Sequence, residues 1–362
     1  MPKLFSKPEI TMGLDIGSRL VKLVQLRHTN KGIELMNVGM DTIPDEAIVD
    51  GTVMDIAPVV KVIQALLKQL NIKNPDVNTA IAGKAVIVKK VKLPYMSREE
   101  LNESIRWEAE QFIPFDMDDV NIDFQILSTN VEMKNMDVLL AAAKKEKLNN
   151  HLNLIRAAGL KTIIIDLDAF AVENAYEFNL APEPDTVIAL INLGCSITNI
   201  NVIHNEIPLF TRDITMGGNN FTKALQKELL LNFDEAENIK INFSRESAKS
   251  NTDLSSNTFD KDVHIIIEKI MEELSMEISH SFEYYHSSQE NKKITKVVLS
   301  GGAAKTFNLS EYLTKKLGVK VEINNPLKKI IINENKFDIK YIQSIAPILT
   351  VAIGLALRQG IE

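Results

Sequence analysis

The apolar and polar positions near the start of the chain predict a β-hairpin. Residues 20–25 have the pattern of a strand, residues 29–32 read Thr-Asn-Lys-Gly as a turn, and residues 33–38 return as a second strand. Apolar positions with helical spacing follow at residues 59–70, and a buried strand follows at residues 79–82. The order strand, hairpin, helix, strand is typical of an α/β lobe.

The second half of the chain repeats this order of elements. Residues 198–203 and 208–214 predict another hairpin, residues 221–230 have helical spacing, and residues 296–299 predict the buried strand that follows. Two unrelated strand-end turns would not share the order of their flanking elements as well. The repeat therefore predicts two homologous α/β lobes that face each other.

A separate pattern interrupts the first half at residues 86–145. It predicts a small α+β subdomain with the order strand, helix, strand, strand, at residues 86–93, 98–111, 119–128 and 137–143. Later in the chain, a polar stretch at residues 244–258 predicts a loop, and one long helix is expected from about residue 261 to residue 286.

The composition is that of an ordinary globular protein, with 45% hydrophobic and 25% charged residues. The 48 acidic residues outnumber the 41 basic ones and no basic stripe is present, so nucleic acid is not an expected partner. The single cysteine, Cys195, excludes an intramolecular disulfide and fits a reducing compartment. We find no signal-peptide pattern, no run of about 18 apolar residues and no basic amphipathic C-terminal helix, so membrane contact is expected only through a partner.

The strand before each hairpin ends in nearly the same phrase. Residues 13–18 read Gly-Leu-Asp-Ile-Gly-Ser, and residues 190–196 read Leu-Ile-Asn-Leu-Gly-Cys-Ser, so the carboxylate of Asp15 corresponds to the amide of Asn192. A glycine and a small hydroxyl residue at a hairpin tip let backbone N–H groups approach an anion. Two such tips that face each other predict a clamp for a phosphate chain. The side chain of Lys22 shares a strand face with Ser18, where it either reaches the same phosphates or remains a solvated lysine.

The difference between the two phrases predicts binding without much turnover. Asp15 is suited to hold Mg²⁺ through water, because this metal dehydrates reluctantly and prefers one or two carboxylates with phosphate oxygens. Asn192 is neutral and a poor base, and loss of a positioned base typically lowers a rate by about 10² to 10⁴.

Two further features predict a site for the adenosine part of a nucleotide. A Gly-rich turn, Ser300-Gly301-Gly302, follows a buried strand directly and suits a base-binding platform. Glu237 and Lys240, spaced i and i+3 on one helix, offer an acceptor and a donor for ribose or base; the alternative for this pair is a surface ion pair.

Together with Gly217-Gly218 before a helix and residues 236–240, these features resemble the actin-like ATPases, which include actin, Hsp70, sugar kinases, MreB and FtsA. Residues 104–115, 168–175 and 208–214 resemble, within that superfamily, the PilM family of type IV pilus assembly proteins, and this resemblance covers essentially the whole chain. It implies an actin-like, ribonuclease H-like duplicated two-lobed α/β fold with an inserted FtsA-like subdomain. It implies ATP and Mg²⁺ as ligands, with phosphate contacts at Asp15, Gly17, Ser18, Lys22, Gly194, Cys195, Ser196 and Thr198, and adenosine contacts at Gly218, Glu237, Lys240, Gly301 and Gly302.

The resemblance also implies how the chain divides. The expected parts are residues 10–85, 146–185 and 345–362 for the first lobe, 86–145 for the inserted subdomain, 186–232 and 276–344 for the second lobe, and 233–275 for a small subdomain on it.

The implied role is a cytoplasmic scaffold at the inner face of the membrane that meets other pilus assembly components. It is expected to hold the short N-terminal cytoplasmic peptide of a PilN-like inner-membrane protein, with weak or absent ATPase activity. Trp107, Phe112, Pro114 and Phe115 form an apolar surface suited to such a peptide, or they are part of the core of the subdomain. Two other functions remain open: an FtsA-like membrane tether of cell division, and a sugar-kinase-like phosphotransferase with Asp166 or Asp168 as its base.

Overall fold

The first half of the chain forms a mixed sheet with a smaller sheet inserted into it. A computed structural model describes residues 9–49, 51–179, 185–247, 258–288 and 292–359. The strands of this half are β1 (Glu9–Ile16), β2 (Leu20–Thr29), β3 (Gly32–Thr42), β4 (Ile48–Val49), β5 (Thr52–Val53), β6 (Asp76–Ile81), β7 (Val86–Pro94), β8 (Val120–Asn130), β9 (Asn135–Lys144) and β10 (Lys161–Leu167). Its helices are α1 (Ile56–Gln69), α2 (Arg98–Glu110), α3 (Lys145–Ala157) and α4 (Asp168–Asn179).

The second half forms a second mixed sheet flanked by helices. Its strands are β11 (Val187–Leu193), β12 (Thr198–His204), β13 (Ile207–Ile214), β14 (Lys296–Ser300) and β15 (Lys320–Ile323). Its helices are α5 (Gly218–Leu229), α6 (Phe233–Ser247), α7 (Thr258–Ser288), α8 (Leu309–Leu317), α9 (Ile339–Ile345) and α10 (Thr350–Leu357).

The two main sheets have the same topology. One has the strand order β10-β6-β1-β2-β3 and the other has the order β15-β14-β11-β12-β13. In both, the first strand pairs antiparallel with the hairpin, which is itself antiparallel. On its other side the first strand pairs parallel with β6 or β14, and that strand pairs parallel with the outermost strand, β10 or β15. The predicted duplication and the actin-like α/β fold are confirmed.

A local signal in the sequence explains where α1, the first helix of the chain, begins. α1 starts after Asp55, whose side chain accepts a hydrogen bond from the Ala57 N–H at 2.9 Å, and it buries Val59, Ile63 and Leu66 on one face. The spacing of these three residues is that of one helical stripe, so the same pattern that predicts the helix also fixes the face that packs on the sheet.

Helices α4 and α10 lie between the two sheets and join them. One apolar cluster contains Ala171 and Tyr176 of α4, Leu355 of α10, and Ile188 and Val298 of the second sheet. Both lobes therefore share one buried layer, and the cleft opens where the hairpins of the two sheets end.

The inserted segment forms its own sheet, with the strand order β7-β9-β8, and α2 covers one face of that sheet. α2 begins with a capping box between Ser97 and Glu100, and Leu101, Ile105 and Ala109 face the sheet. Ile105 and Ala109 are thus core residues of the inserted subdomain.

The end of the chain packs on the first lobe. Leu327 and Ile342 share an apolar cluster with Leu26, and the Leu35 N–H donates to the Ile331 carbonyl at 2.9 Å. The predicted boundary at residue 345 falls inside this packed segment. Residues from Leu327 onward therefore pack on the first lobe, before the boundary that the expected division places at residue 345.

One stretch, Ile339–Leu357, is long and apolar enough on average to cross a membrane by length and composition alone, although Lys340, Gln343 and Ser344 interrupt its run of apolar residues. In the structure this stretch consists of α9, a 3₁₀ turn at Ala346–Leu349 and α10, and about two thirds of it is buried inside the fold. Packing against β1, β2 and α4 accounts for its composition.

The long helix predicted for residues 261–286 is confirmed as α7. The loop predicted for residues 244–258 is wrong at its start, because α6 continues through residue 247. Residues 248–257 lie outside the described residues.

Candidate functional site

The two repeated phrases fold into the same loop. In the first lobe, the Gly17 N–H donates to the Leu20 carbonyl at 3.0 Å, and in the second lobe the Gly194 N–H donates to the Ile197 carbonyl at 3.0 Å. Each loop connects the first strand of its sheet to the hairpin. Each lobe thus has a loop of the same form at this connection, and Ser18 lies in the loop of the first lobe.

A charged pair behind the first loop corresponds to an amide pair behind the second. Asp15 and Lys22 are cross-strand partners on β1 and β2, and the Lys22 Nζ donates to the Asp15 carboxylate at 2.6 Å. Asn192 and Asn199 occupy the same register on β11 and β12, and the Asn192 amide donates to the Asn199 Oδ1 at 3.1 Å. Lys22 is therefore not a solvated lysine, because it neutralises the carboxylate at the cleft.

The loop of the second lobe, at residues 194–197, is hydrogen-bonded to the start of α5. The Gly218 N–H donates to the Gly194 carbonyl at 2.9 Å, and the Asn219 N–H donates to the Cys195 carbonyl at 2.8 Å. The Asn219 side chain also contacts the Cys195 Sγ at 2.9 Å and the Ser196 Oγ at 3.3 Å. Burial raises the pKa of the Cys195 thiol, so this side chain is an uncharged part of the loop.

Thr198 has a different role from the one that the resemblance implies. Its side chain is buried at the start of β12, and its hydroxyl donates to the Met216 carbonyl at 2.7 Å. The hydroxyl group thus links the base of the loop to Met216. Because this side chain is buried, the geometry disfavours a direct phosphate contact from it.

Glu237 and Lys240 form a partly buried cluster rather than a surface ion pair. The Lys240 Nζ donates to the Glu237 carboxylate at 2.6 Å, to the Thr222 hydroxyl at 2.9 Å and to the Gly218 carbonyl at 3.2 Å. α6 is thereby fixed against the first turn of α5. The lysine and the carboxylate lie at the edge of the cleft next to the second loop.

The Gly301-Gly302 turn follows β14 and lies beside Asn192. Gly301 has a φ of +90°, and a Cβ at this position would lie 2.2 Å from the Leu193 carbonyl oxygen, so a side chain is excluded here. A Cβ on Gly302 would meet nothing within 4 Å. At Gly302 the turn therefore presents backbone without a side chain to open space.

Charged residues from both lobes meet at the floor of the cleft. Burial raises the pKa of Asp168 to about 7, and the carboxylates of Asp15 and Asp213 add to that rise. Lys147 is close to Asp168 and Asp213, and burial lowers the pKa of its amine. In contrast, Asp166 accepts a hydrogen bond from the Arg358 Nε at 2.9 Å and lies apart from this group. Of the two candidate bases, only Asp168 faces the cleft.

Asp213 bridges the two lobes. Its Oδ1 accepts from the Asn199 amide at 2.7 Å, and its Oδ2 accepts from the Gly83 N–H at 2.5 Å. The sequence pattern does not predict Asn199, Asp213 or Lys147 as site residues. The available signal for Asn199 is its spacing, because it follows Asn192 at the same distance at which Lys22 follows Asp15.

Two cavities lie on either side of Gly83, between the first lobe, the inserted subdomain and the second lobe. One has a volume of 320 Å³ and is lined by Lys144, Lys147 and Ile197 among others. The other has a volume of 220 Å³ and is lined by residues that include Ile87 and Asp168. Gly83 and Asp213 line both of them, so their hydrogen bond forms a shared wall.

The structure separates the predicted partner residues into two groups. Trp107 is 79% exposed on the outer face of α2. Phe112 and Phe115 are half-buried against the subdomain core, with the Lys89 Nζ 5.5 Å and the Lys144 Nζ 4.7 Å from the respective ring centres. Pro114 is exposed between them.

Among the described residues, no group of three or more His, Cys, Asp or Glu side chains is arranged to hold a metal ion. A metal in this cleft would therefore need phosphate oxygens and water for most of its ligands, which is the coordination that Mg²⁺ prefers. Asp15, at the first loop, fits that requirement as a single carboxylate.

The model of one protein family, described as type IV pilus assembly protein PilM, matches residues 13–360 of the chain. Among solved structures, a chain of the PilM-PilN type IV pilus biogenesis complex is 30% identical, with a TM-score of 0.84 over 97% of this chain and 98% of that chain.

More distant relatives share parts of the sequence or the fold alone. The cell division protein FtsA of Bacillus subtilis is 24% identical over 64% of this chain, and the match spans 57% of that relative's length. MreB5 of Spiroplasma citri, solved with ADP, is 11% identical with a TM-score of 0.53 over 96% of this chain and 94% of that chain.

Proposed function

The chain belongs to the PilM family of type IV pilus assembly proteins, and from this premise we propose that it is an ATP-binding scaffold of the pilus assembly complex. In this role it holds the N-terminal cytoplasmic peptide of a PilN-like inner-membrane protein, meets other pilus assembly components at the cytoplasmic face of that membrane, and hydrolyses ATP slowly or not at all. The observation that carries the proposal is the pair of matching loops, closed by the same 3.0 Å hydrogen bond in each lobe.

The two loops supply the phosphate site. The backbone N–H groups of Ser18 and Ser196 would bind the phosphate chain and the charge of Lys22 would add to this, while the Gly17 N–H closes the loop on the Leu20 carbonyl. Each hydrogen bond to a charged group contributes about 1.5 to 3 kcal/mol, so a few from each loop are enough for micromolar affinity. The structure of MreB5 of Spiroplasma citri, a protein of the same fold, was solved with ADP bound, and this supports the proposal.

The adenosine would lie between the Gly301-Gly302 turn and the edge of α6. Gly302 leaves room for the base, and Glu237 and Lys240 offer an acceptor and a donor at the rim. Gly218, at the start of α5, brings backbone close to the ribose because no side chain intervenes.

Asp15 would hold Mg²⁺ through water beside the phosphates. The metal, when bound, neutralises phosphate charge. Slow turnover follows from the second loop, where the Asn192 amide is neutral and is held by the Asn199 side chain at 3.1 Å. Asp168 is the remaining carboxylate at the cleft, and its pKa of about 7 leaves it partly protonated at neutral pH.

The nucleotide part of the proposal has a direct test. We expect Asp15→Ala to weaken Mg²⁺-ATP binding about tenfold or more, because Asp15 acts through the metal. We expect no comparable loss of ATP binding in EDTA, because the variant leaves the charge of Lys22 free for the phosphates. Titrations of a fluorescent ATP analogue with and without Mg²⁺ measure both affinities, and Asp123→Ala, which removes an exposed aspartate of the inserted subdomain, is the control. An equal loss in EDTA would assign Asp15 to loop structure instead.

The partner peptide would bind at the junction of the first lobe and the inserted subdomain. The two cavities lie there, and the Phe112 and Phe115 rings with their covering lysines lie on the subdomain side. Such a site combines the aromatic rings of Phe112 and Phe115 with the positive charges of Lys89, Lys144 and Lys147.

Trp107 is the only tryptophan of the chain, so its fluorescence reports on one place. Addition of the N-terminal peptide of the PilN-like partner is expected to shift its emission to shorter wavelength and to reduce acrylamide quenching. If fluorescence anisotropy shows that the peptide binds while the Trp107 emission stays unchanged, Trp107 is not part of the partner surface.

A substitution tests the aromatic residues of the same site. We expect Phe115→Ala to weaken peptide binding about tenfold or more, and Tyr95→Ala, which removes an exposed aromatic side chain of the same subdomain, to leave peptide binding unchanged.

One observation favours a second candidate, a phosphotransferase of the sugar-kinase type. Asp168 lies near Asp15 with a pKa of about 7, which suits a general base. This function predicts ADP release that depends on an added sugar and is lost in Asp168→Asn but not in Asp166→Asn. Sugar-independent ADP release, or none, would exclude it.

A further inference from the structure

A single carboxylate connects the second phosphate loop to the hinge of the inserted subdomain. The Asn192 amide donates to Asn199 at 3.1 Å, the Asn199 amide donates to Asp213 at 2.7 Å, and Asp213 accepts from the Gly83 N–H at 2.5 Å. These three hydrogen bonds form an unbroken path from the second lobe to the first.

Gly83 lies where the chain leaves the first lobe for the inserted subdomain. It follows β6, it has a φ of +98°, and its carbonyl accepts from the Val86 N–H at 2.9 Å at the start of β7. The returning chain passes beside it, since the Lys144 N–H donates to the Ala85 carbonyl at 3.0 Å. A bond to the Gly83 N–H therefore holds the point about which the subdomain would turn.

Asp213 is suited to respond to the nucleotide because one of its carboxylate oxygens accepts a hydrogen bond from Asn199 and the other accepts one from Gly83. With its Nδ2 turned toward Asp213, the Asn199 amide turns its Oδ1 toward Asn192, so the two bonds favour the same orientation of this amide. A phosphate or hydrated metal that reoriented Asn192 would alter the donor that Asp213 receives. The Asp213 bond to Gly83 would change with it.

We propose that Asp213 is a positioning residue that couples nucleotide binding at the second loop to partner binding at the inserted subdomain. This inference rests on the proposed function and adds the route between the two sites. The shared wall of the two cavities is the place where that route reaches the partner side.

The test measures coupling rather than affinity. The affinity for the N-terminal peptide of the PilN-like partner is determined with and without saturating Mg²⁺-AMPPNP, and the ratio of the two is the coupling factor. Coupling between two binding sites is typically about 5- to 150-fold, so we expect a factor of at least about fivefold for the natural chain. Asp213→Asn replaces one acceptor oxygen with a donor, and we expect its factor to fall below about twofold, although the chain still binds each ligand alone.

A second variant separates the two bonds of Asp213. Asn199→Ala cuts the path on the nucleotide side and leaves the acceptor for Gly83 in place. We expect it to lose the coupling while the amides of residues 82–86 keep their protection in hydrogen–deuterium exchange, whereas Asp213→Ala, which leaves the Gly83 N–H without an acceptor, loses both. Asp137→Asn, which removes an ion pair with Lys90 inside the subdomain, is the matched control and should keep both.

The possible failures are distinct. A natural chain that binds no AMPPNP would overturn the proposed function, and the coupling route with it. A natural chain that binds AMPPNP and peptide without coupling, or an Asp213→Asn variant that keeps the natural factor, would overturn the route alone. If Asp213→Asn does not fold, Asn199→Ala decides by the same ratio.

Discussion

At the scale of single residues, Asp15 and Asn192 occupy equivalent positions in the two lobes, but only Asp15 carries a charge. The repeated phrase places them in register, and the structure confirms the equivalence through the pairs Asp15–Lys22 and Asn192–Asn199. The partner of each residue was not predictable from its own phrase, because it comes from the facing strand. Strand register, rather than residue type, determines which side chain neutralises Asp15.

Asn192→Asp tests whether the neutral amide limits turnover. A carboxylate here would offer a base beside the phosphates, and a positioned base contributes about 10² to 10⁴ in rate, so we expect ATP hydrolysis to rise at least tenfold. Release of inorganic phosphate under single-turnover conditions measures it. Asn37→Asp, which alters an amide pair with Gln25 away from the cleft, is the control. An unchanged rate would show that another step sets the limit.

At the scale of secondary-structure elements, hairpins and helices were predictable and the Gly-rich turn was predictable only in part. Apolar spacing gives α1, α2 and α7 their positions, because each helix buries one stripe. From the sequence alone, the surroundings of Gly301 and Gly302 cannot be told apart. Only the structure shows that Gly301 is confined by backbone whereas Gly302 faces open space.

The two glycines form a matched pair for substitution. Gly301→Ala places a Cβ against the Leu193 carbonyl at a φ of +90°, and such strain costs about 1 to 3 kcal/mol or displaces the turn. We expect a lower unfolding midpoint in urea and weaker ATP binding. Gly302→Ala has room and a helical φ of −67°, so both quantities should stay close to those of the natural chain. Equal effects at the two positions would contradict this account of the turn.

At the scale of the whole molecule, the duplicated architecture was predictable from the order of elements, but the contacts that join the lobes were not. Asn201 of β12 donates to Glu173 of α4 at 2.7 Å across the shared layer. Burial raises the pKa of Glu173 to about 8, and the neighbouring carboxylate of Glu177 adds to the rise. No periodicity marks such a carboxylate as buried, since its environment is created by the other lobe.

This carboxyl group makes stability depend on pH. The folded-state pKa of about 8 exceeds the ordinary value of 4.5, so the contribution is complete below pH 4.5 and is lost as the pH rises through 8. We expect the natural chain to lose a few kcal/mol of stability between pH 6 and pH 9, and Glu173→Gln to lose less. Urea unfolding midpoints at the two pH values measure this, with Glu103→Gln on the outer face of α2 as the control. Identical pH profiles for the natural chain and Glu173→Gln would contradict the assignment.

The central claim is that ATP binds in the cleft between the matching loops, with its base over the Gly301-Gly302 turn. Equilibrium titration of a fluorescent ATP analogue against Gly302→Arg and Gly302→Ala tests it most directly, because position 302 has open space that only the long side chain would fill. The account predicts micromolar binding for the natural chain and Gly302→Ala, and a loss of about a hundredfold or more in Gly302→Arg. Undiminished binding by Gly302→Arg, or no binding by the natural chain, would contradict it.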